Sequence, residues 1–327
     1  MEERSNKKLN PFSNNFHYHK KGQMQFSWLF ALILGAAILF IAIFFSGRLL
    51  EQGTYLTEAE MAASFNALLN PFASVREAGI PLSKPVELPA KTNVSFGCNP
   101  AKDSQTISVL LEKGKAPFST VIKNKYIFSQ DFNAKELWIF GKSFKMPWQV
   151  DDLIYVVSKK YCFDSNGIPG SIEDELNDLN SSFMRVIALT AANIREEKCD
   201  VKVCFGTTGC EFNVLYGADS TGEIRVTGRT LPLSFIDDST MYAAIFGKDY
   251  ECNLERLRKR MELQTDIFLA KADSLESDCP EINGVKQELL GMKSLLQRAA
   301  TDPSVYPAIK TKAEAIDEAN PVSCPLY

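Results

Sequence analysis

Apolar residues fall along this chain in distinct regimes. From Phe26 to Phe45 the sequence reads FSWLFALILGAAILFIAIFF, twenty residues without a charge. A helix rises about 1.5 Å per residue, so this run would span roughly 30 Å, the hydrocarbon thickness of a bilayer. It is apolar on all sides and offers water no polar face. The pattern predicts one transmembrane helix over 23–48. Farther along the spacing changes to that of strands. Thr106–Leu111, Thr120–Ser129, Glu136–Phe140 and Leu153–Ser158 are rich in β-branched and aromatic residues, with Gly, Pro, Asn and Asp between them. After a short surface helix expected over Pro169–Leu179, the strand signal returns at Met184–Leu189, Val201–Phe205, Glu211–Tyr216 and Glu223–Gly228. Gly217–Gly222 reads as a hairpin loop. With few helices between strands, antiparallel pairing is expected.

From about residue 238 the apolar positions recur at helical spacing. Leu254, Leu257, Met261, Phe268 and Leu275 share one face, and Val285, Leu289, Met292 and Leu296 share another. The short connection around Cys279-Pro280 makes these two helices antiparallel neighbours, a hairpin tied at its end by Cys279 and Cys324. A third helix is expected over 304–318. Between the apolar run and the strands, Thr57 and Glu60 form a capping box ahead of Met61, Phe65, Leu68 and Leu69. Residues 72–100, with Pro81, Pro85, Pro89 and Pro100, read as an extended connection into the sheet. The expected fold class is α+β: an N-terminal transmembrane helix, a mainly antiparallel β-rich ectodomain and a C-terminal helical hairpin. The expected divisions are a cytoplasmic tail (1–22), the span (23–48), a juxtamembrane helix and linker (49–81), a β-rich exported domain (82–235) and a helical region packed on it (236–327).

Charge orients the span. Arg4, Lys7, Lys8, Lys20 and Lys21 precede it against Glu2 and Glu3, while Arg48 and Glu51 follow it. Basic flanks stay in the cytoplasm, so the N-terminus is expected inside and the C-terminal part outside the membrane. The run ends Phe44-Phe45-Ser46-Gly47-Arg48 without a small-residue cleavage pattern, which favours an anchor over a removable signal. Lys20-Lys21-Gly22-Gln23 ahead of the apolar run resembles the class III signal of archaeal type IV pilin-like proteins. That resemblance implies cleavage between Gly22 and Gln23 with the span retained. The chain departs from the family pattern at Ser27, where a Glu is usual. More broadly, KKGQMQFSWLFALILGA, NKYIFS, DDLIYVVS, KYCF and MYAAIFGKDYECNLERLRKR are similar to segments of uncharacterised single-pass archaeal membrane proteins. This resemblance implies an architecture and no activity.

About 280 residues lie beyond the span, enough for one large or two small cores. The net charge of −4 divides unevenly: residues 1–22 are basic, and the remainder carries seven excess negative charges. An acidic exterior argues against nucleic acid as partner. Cys98, Cys162, Cys199, Cys204, Cys210, Cys252, Cys279 and Cys324 all lie beyond the span, the distribution of an exported disulfide framework. Cys204 and Cys210 are the expected local pair, because a short Gly-containing connection separates the strand-like segments around them.

The search for chemistry turns on an absence. His17 and His19 are the only histidines, so no exported Ser-His-Asp site or His-ligated zinc site can be built. No phosphate-binding loop or nucleophile-elbow motif occurs. No catalytic, cofactor or metal residues are expected. Asp151-Asp152 and Asp237-Asp238 are adjacent carboxylates, read as a turn into a strand and as a helix N-terminus respectively. The basic run 256–260 reads as a solvated helix face. Asn93 and Asn180 head glycosylation sequons. The expected function is that of a membrane-anchored extracytoplasmic protein with a structural, binding or surface-assembly role. Its partners would be the lipid bilayer and either a second copy or another surface protein. The alternative is an exported carboxylate-based hydrolase acting on glycans.

Overall fold

A computed structural model describes residues 33, 35, 36, 38–40, 83–110, 117–206 and 208–327. The chain divides into two compact units, Met1–Tyr55 and Leu56–Tyr327. In the first, Ile33, Gly35, Ala36, Ile38, Leu39 and Phe40 are helical and exposed. The rest of the expected span, the basic tail, Gly22, Gln23 and the juxtamembrane segment 49–81 lie outside the described residues. Among the described residues no helix is long and apolar enough to cross a membrane.

The second unit is α+β with two six-stranded sheets. The first contains β1 (Ser83–Asn99), β2 (Ser104–Leu110), β3 (Phe118–Lys123), β4 (Tyr126–Ser129), β5 (Phe132–Lys145) and β6 (Gln149–Val157), ordered β3-β2-β1-β5-β6-β4. All its pairs are antiparallel except β4 with β6. β1 begins within the stretch whose prolines suggest a connection. Pro85 falls in the half of β1 that pairs with β5 alone, and Pro89 falls in the irregularity between Glu87 and Thr92, so neither missing N–H disturbs a second ladder.

This sheet curls around its own inner face. Ile122 of β3 and Ile127 of β4 stand at opposite ends of the strand order. Both nevertheless belong to one buried cluster with Val94, Phe96, Ile107, Leu137, Ile139, Ile154 and Val156. The buried side chain of Gln105 closes the seam. Its Nε2 donates to the Ile127 carbonyl at 2.7 Å, and its Oε1 accepts from the Ile127 N–H at 2.8 Å. An amide side chain thus stands in for a neighbouring peptide on the free edge of β4.

The second sheet contains β7 (Tyr161–Asp164), β8 (Met184–Ile187), β9 (Val201–Phe205), β10 (Phe212–Tyr216), β11 (Gly222–Val226) and β12 (Leu233–Phe235), ordered β12-β11-β10-β9-β7-β8. The expectation of mainly antiparallel pairing is corrected here. β8, β7, β9 and β10 run parallel, and only β10-β11-β12 alternate. The reason is crossover helices: α1 (Gly170–Asp178) between β7 and β8, and α2 (Ala191–Glu197) between β8 and β9. Thr190 caps α2 by accepting from the Asn193 N–H.

Among the described residues four further α-helices complete the unit. In α3 (Asp238–Phe246) every residue from Ser239 to Phe246 is buried. Phe140 and Tyr155 of the first sheet's outer face and Tyr161 of the second pack against its Phe246 at 4.9–6.0 Å between ring centres. α4 (Tyr250–Leu275) and α5 (Ile282–Ala299) form the expected hairpin, with Leu254, Leu257 and Met261 buried beside Val285, Leu289, Met292 and Leu296. Lys293 meets Asp266 at 2.7 Å and Lys286 meets Asp273 at 2.6 Å, so the two helices run antiparallel. α6 (Tyr306–Ala319) packs on α5 through Ile309, Ala313 and Ile316.

All eight cysteines are paired: Cys98–Cys252, Cys162–Cys199, Cys204–Cys210 and Cys279–Cys324. The first joins β1 to α4, and beside it Arg256 is fully buried. Its Nε lies 2.8 Å from Asp103 Oδ1, its Nη1 donates to Asn253 Oδ1 at 2.9 Å, and its guanidinium stacks 4.7 Å over the Tyr126 ring. Arg258 is also buried, bridging Glu255, Glu262 and the Leu296 carbonyl. The basic run is therefore solvated only in part: Lys259 is exposed and Arg260 half-exposed, while Arg256 and Arg258 are internal fasteners, each with enough acceptors to offset desolvation.

Candidate binding cleft

Chain order in the second sheet creates a switch point. β7 leads through α1 to β8 on one side, and β8 returns through α2 to β9 on the other. The two helices cover opposite faces. Ile172 and Leu176 of α1 join the core that holds Tyr161 and Phe163. Cys162, which points the other way along β7, is bonded to Cys199 after α2. The loop after β7 leads to α1 while the one after β9 returns directly to β10, and a crevice lies between them beyond the carboxyl ends of the parallel strands. Ligands of such sheets commonly bind at that position.

A cleft of about 550 Å³ lies there. Gly167 and Pro169 come from the loop after β7, and Phe205 and Gly206 from the end of β9. Leu215, Tyr216 and Gly217 end β10, while Thr221, Gly222 and Glu223 open β11. Two glycines are required by the approach of backbone to backbone. Gly167 has φ 81°, and a Cβ on it would stand 2.8 Å from the Phe205 carbonyl oxygen. A Cβ on Gly222 would meet the Leu215 oxygen at 2.0 Å and the Phe235 ring at 2.7 Å.

The connection from β9 to β10 is short for a parallel pair. Phe212 stands opposite Val203, so residues 206–211 need return only roughly 7 Å. Gly206 and Gly209 adopt positive φ, Cys204–Cys210 clamps the loop, and Asn213 Nδ2 donates to the Cys210 carbonyl at 3.0 Å. These bonds hold the Phe205 side of the cleft in place.

Tyr216 forms the other wall, and a charged cluster fixes it from behind. Its hydroxyl donates to Asp238 Oδ1. Asp238 Oδ2 lies 3.9 Å from Lys142 Nζ, which donates to both oxygens of Glu175 at 2.9 and 2.6 Å. Tyr242 donates to the same Glu175 at 3.2 Å and lies beneath the Lys142 ammonium. Burial, and then the Asp238 hydrogen bond, push the Tyr216 phenol above its ordinary range. At neutral pH it is a fixed donor and not a nucleophile.

Of the adjacent carboxylates only Asp238 reaches the cleft, from behind Tyr216. Asp237 caps α3, accepting from the Thr240 N–H, Thr240 Oγ1 and Ser239 Oγ at 2.7–2.8 Å. Asp152 lies inside β6, not in a turn, and accepts from Ser143 Oγ at 2.6 Å and Gln149 Nε2 at 2.9 Å. Asp151 Oδ2 lies 2.8 Å from Arg260 Nε, although that N–H is directed to the Val150 carbonyl at 3.0 Å. Burial raises the pKa values of Asp151 and Asp237. Asn93 and Asn180 are both exposed, one within β1 and one after α1. The cleft residues escaped the sequence reading because they occupy three separated loops. Their one signal was the density of glycine at 167, 206, 217 and 222. Compared with known proteins, the chain matches no family model, no curated protein and no solved structure.

Proposed function

We propose that the chain is a membrane-anchored extracytoplasmic binding protein. The apolar segment 26–45 lies in the bilayer, residues 1–22 are cytoplasmic, and the two-sheet unit presents its switch-point cleft to the outside. The observation that carries this reading is the pairing of all eight cysteines within the described unit. Such frameworks persist in oxidising surroundings and are rare in reducing cytosol. The basic flank before residue 26 supports the same orientation. The resemblance to pilin-like signals supports processing between Gly22 and Gln23 with the span kept. Its partners on this reading are the bilayer and a molecule of the cell surface.

Binding is placed ahead of glycan hydrolysis for a geometric reason. A hydrolase needs two carboxylates facing one space. Asp151, Asp152 and Asp237 are each held by interactions within the fold.

Protease added to intact cells carrying the full chain tests the reading. Residues beyond 50 should be digested and the tail spared, and non-reducing mass mapping should recover the four pairs. A protected C-terminal part, or eight free thiols in freshly isolated protein, would overturn it.

A further inference from the structure

Resting on that outward orientation, we propose that the cleft recognises neutral pyranose units of a surface glycan. One wall is the half-buried Tyr216 ring, backed by the buried Phe205 at 6.5 Å between ring centres, and Leu215, 39% exposed, adds apolar surface at the mouth. Because Asp238 holds the Tyr216 hydroxyl, the ring cannot swing away and forms a preorganised platform. A pyranose has a C–H face that packs on such a wall, while its hydroxyls lie around the rim.

The polar groups at the rim suit hydroxyl donors. Glu223 is exposed at the mouth, and among the described residues its carboxylate has no hydrogen-bond or ion-pair partner. Among the described residues it is the only ionic side chain lining the cleft; Lys310 stands at the adjoining loop, where its Nζ donates to the Asp219 carbonyl. A sugar hydroxyl donating to this carboxylate forms a charge-assisted bond. A phosphate or carboxylate ligand would instead meet a like charge, and the nearby Lys310 ammonium is already engaged by the Asp219 carbonyl. That separates this cleft from the dinucleotide sites of other switch-point sheets. Glycine backbone on three sides leaves the crevice open, so a chain of sugars can pass through it.

The test titrates the full chain, in a sugar-free zwitterionic detergent, with maltotriose, cellotriose and chitotriose. Trigalacturonate, inorganic phosphate and lysine methyl ester are titrated alongside, and saturation-transfer NMR is the readout. At least one neutral trisaccharide should bind. Glu223→Gln and Leu215→Asp, both at exposed positions, should each weaken it by about tenfold with an unchanged melting temperature. Leu263→Asp, exposed on α4, should leave binding intact. No transfer to any neutral trisaccharide, binding indifferent to both cleft variants, or preference for the anions or the lysine ester would each overturn the proposal. Failure in protein already found outward-facing and fully oxidised defeats the glycan assignment alone. Protection of the C-terminal part in intact cells defeats the orientation, whatever the titration gives.

Discussion

The two sheets solve the same problem in opposite ways. Each has six strands and two edges that must not be left open. The first curls, buries its inner face against itself and satisfies its last edge with one amide side chain, Gln105. The second stays open, is flanked by helices on both faces and holds its irregular turns with two disulfides, Cys162–Cys199 and Cys204–Cys210. The open sheet retains a crevice where its loops diverge. The cleft thus lies on the open sheet, whose loops two disulfides hold, while the first sheet has one disulfide, Cys98–Cys252, which ties it to α4.

Breaking the closure of the first sheet should cost most. Gln105→Leu leaves the Ile127 N–H and carbonyl buried without partners, at about 1–3 kcal/mol each. We expect the oxidised protein to lose about 3 kcal/mol or more in denaturant titration while ligand binding at the cleft persists. A loss below about 1 kcal/mol would mean that other groups close the seam.

The corresponding break in the second sheet should be smaller. Replacing Cys204 and Cys210 together with Ala opens a loop with a sequence separation of 6, for which chain entropy predicts about 2 kcal/mol. Because this loop positions Phe205, the same variant should also weaken cleft binding, an effect absent from the Gln105 variant. Equal effects of the two changes on binding would erase the contrast between the sheets.

The smallest effect concerns the seam between the sheets. Tyr155, Tyr242 and Tyr250 are buried there, and burial holds each phenol well above its ordinary value of 10.0. A raised folded value means that the folded state keeps its proton longer. The contribution is fully present below about pH 10 and is lost as pH rises beyond it. Stability should be level from pH 7 to 9 with respect to these groups and fall above about 10, their ionisation coinciding with loss of near-ultraviolet circular dichroism. Reversible ionisation of all three near pH 10 in folded protein would show that the seam is wet.

Much of this fold was legible residue by residue. The hairpin of α4 and α5 announced itself through the spacing of Leu254, Leu257, Met261, Val285, Leu289, Met292 and Leu296, all of them buried. The local Cys204–Cys210 pair was readable from a short connection. β1 was not, because Pro85 and Pro89 forbid a central strand and nothing in the sequence says that half of β1 has a free side. Nor was the parallel run of the second sheet: α2 is only seven residues long and buries no side chain, so it carries no amphipathic signature.

The sequence by itself determined most of the helices and strands, and it excluded histidine-based chemistry beyond residue 19. The period of apolar positions follows from the local geometry of helix and strand, and the scarcity of histidine needs no coordinates. Only the tertiary structure decided which strands pair in parallel and which partners Cys98 and Cys162 take. Only the tertiary structure showed that Arg256 and Arg258 are internal, and that Phe205, Tyr216 and Glu223 line one cleft. These are contacts between residues far apart in the chain. They depend on how loops close and on which buried group finds a partner, and neither is written in the periodicity of any one segment.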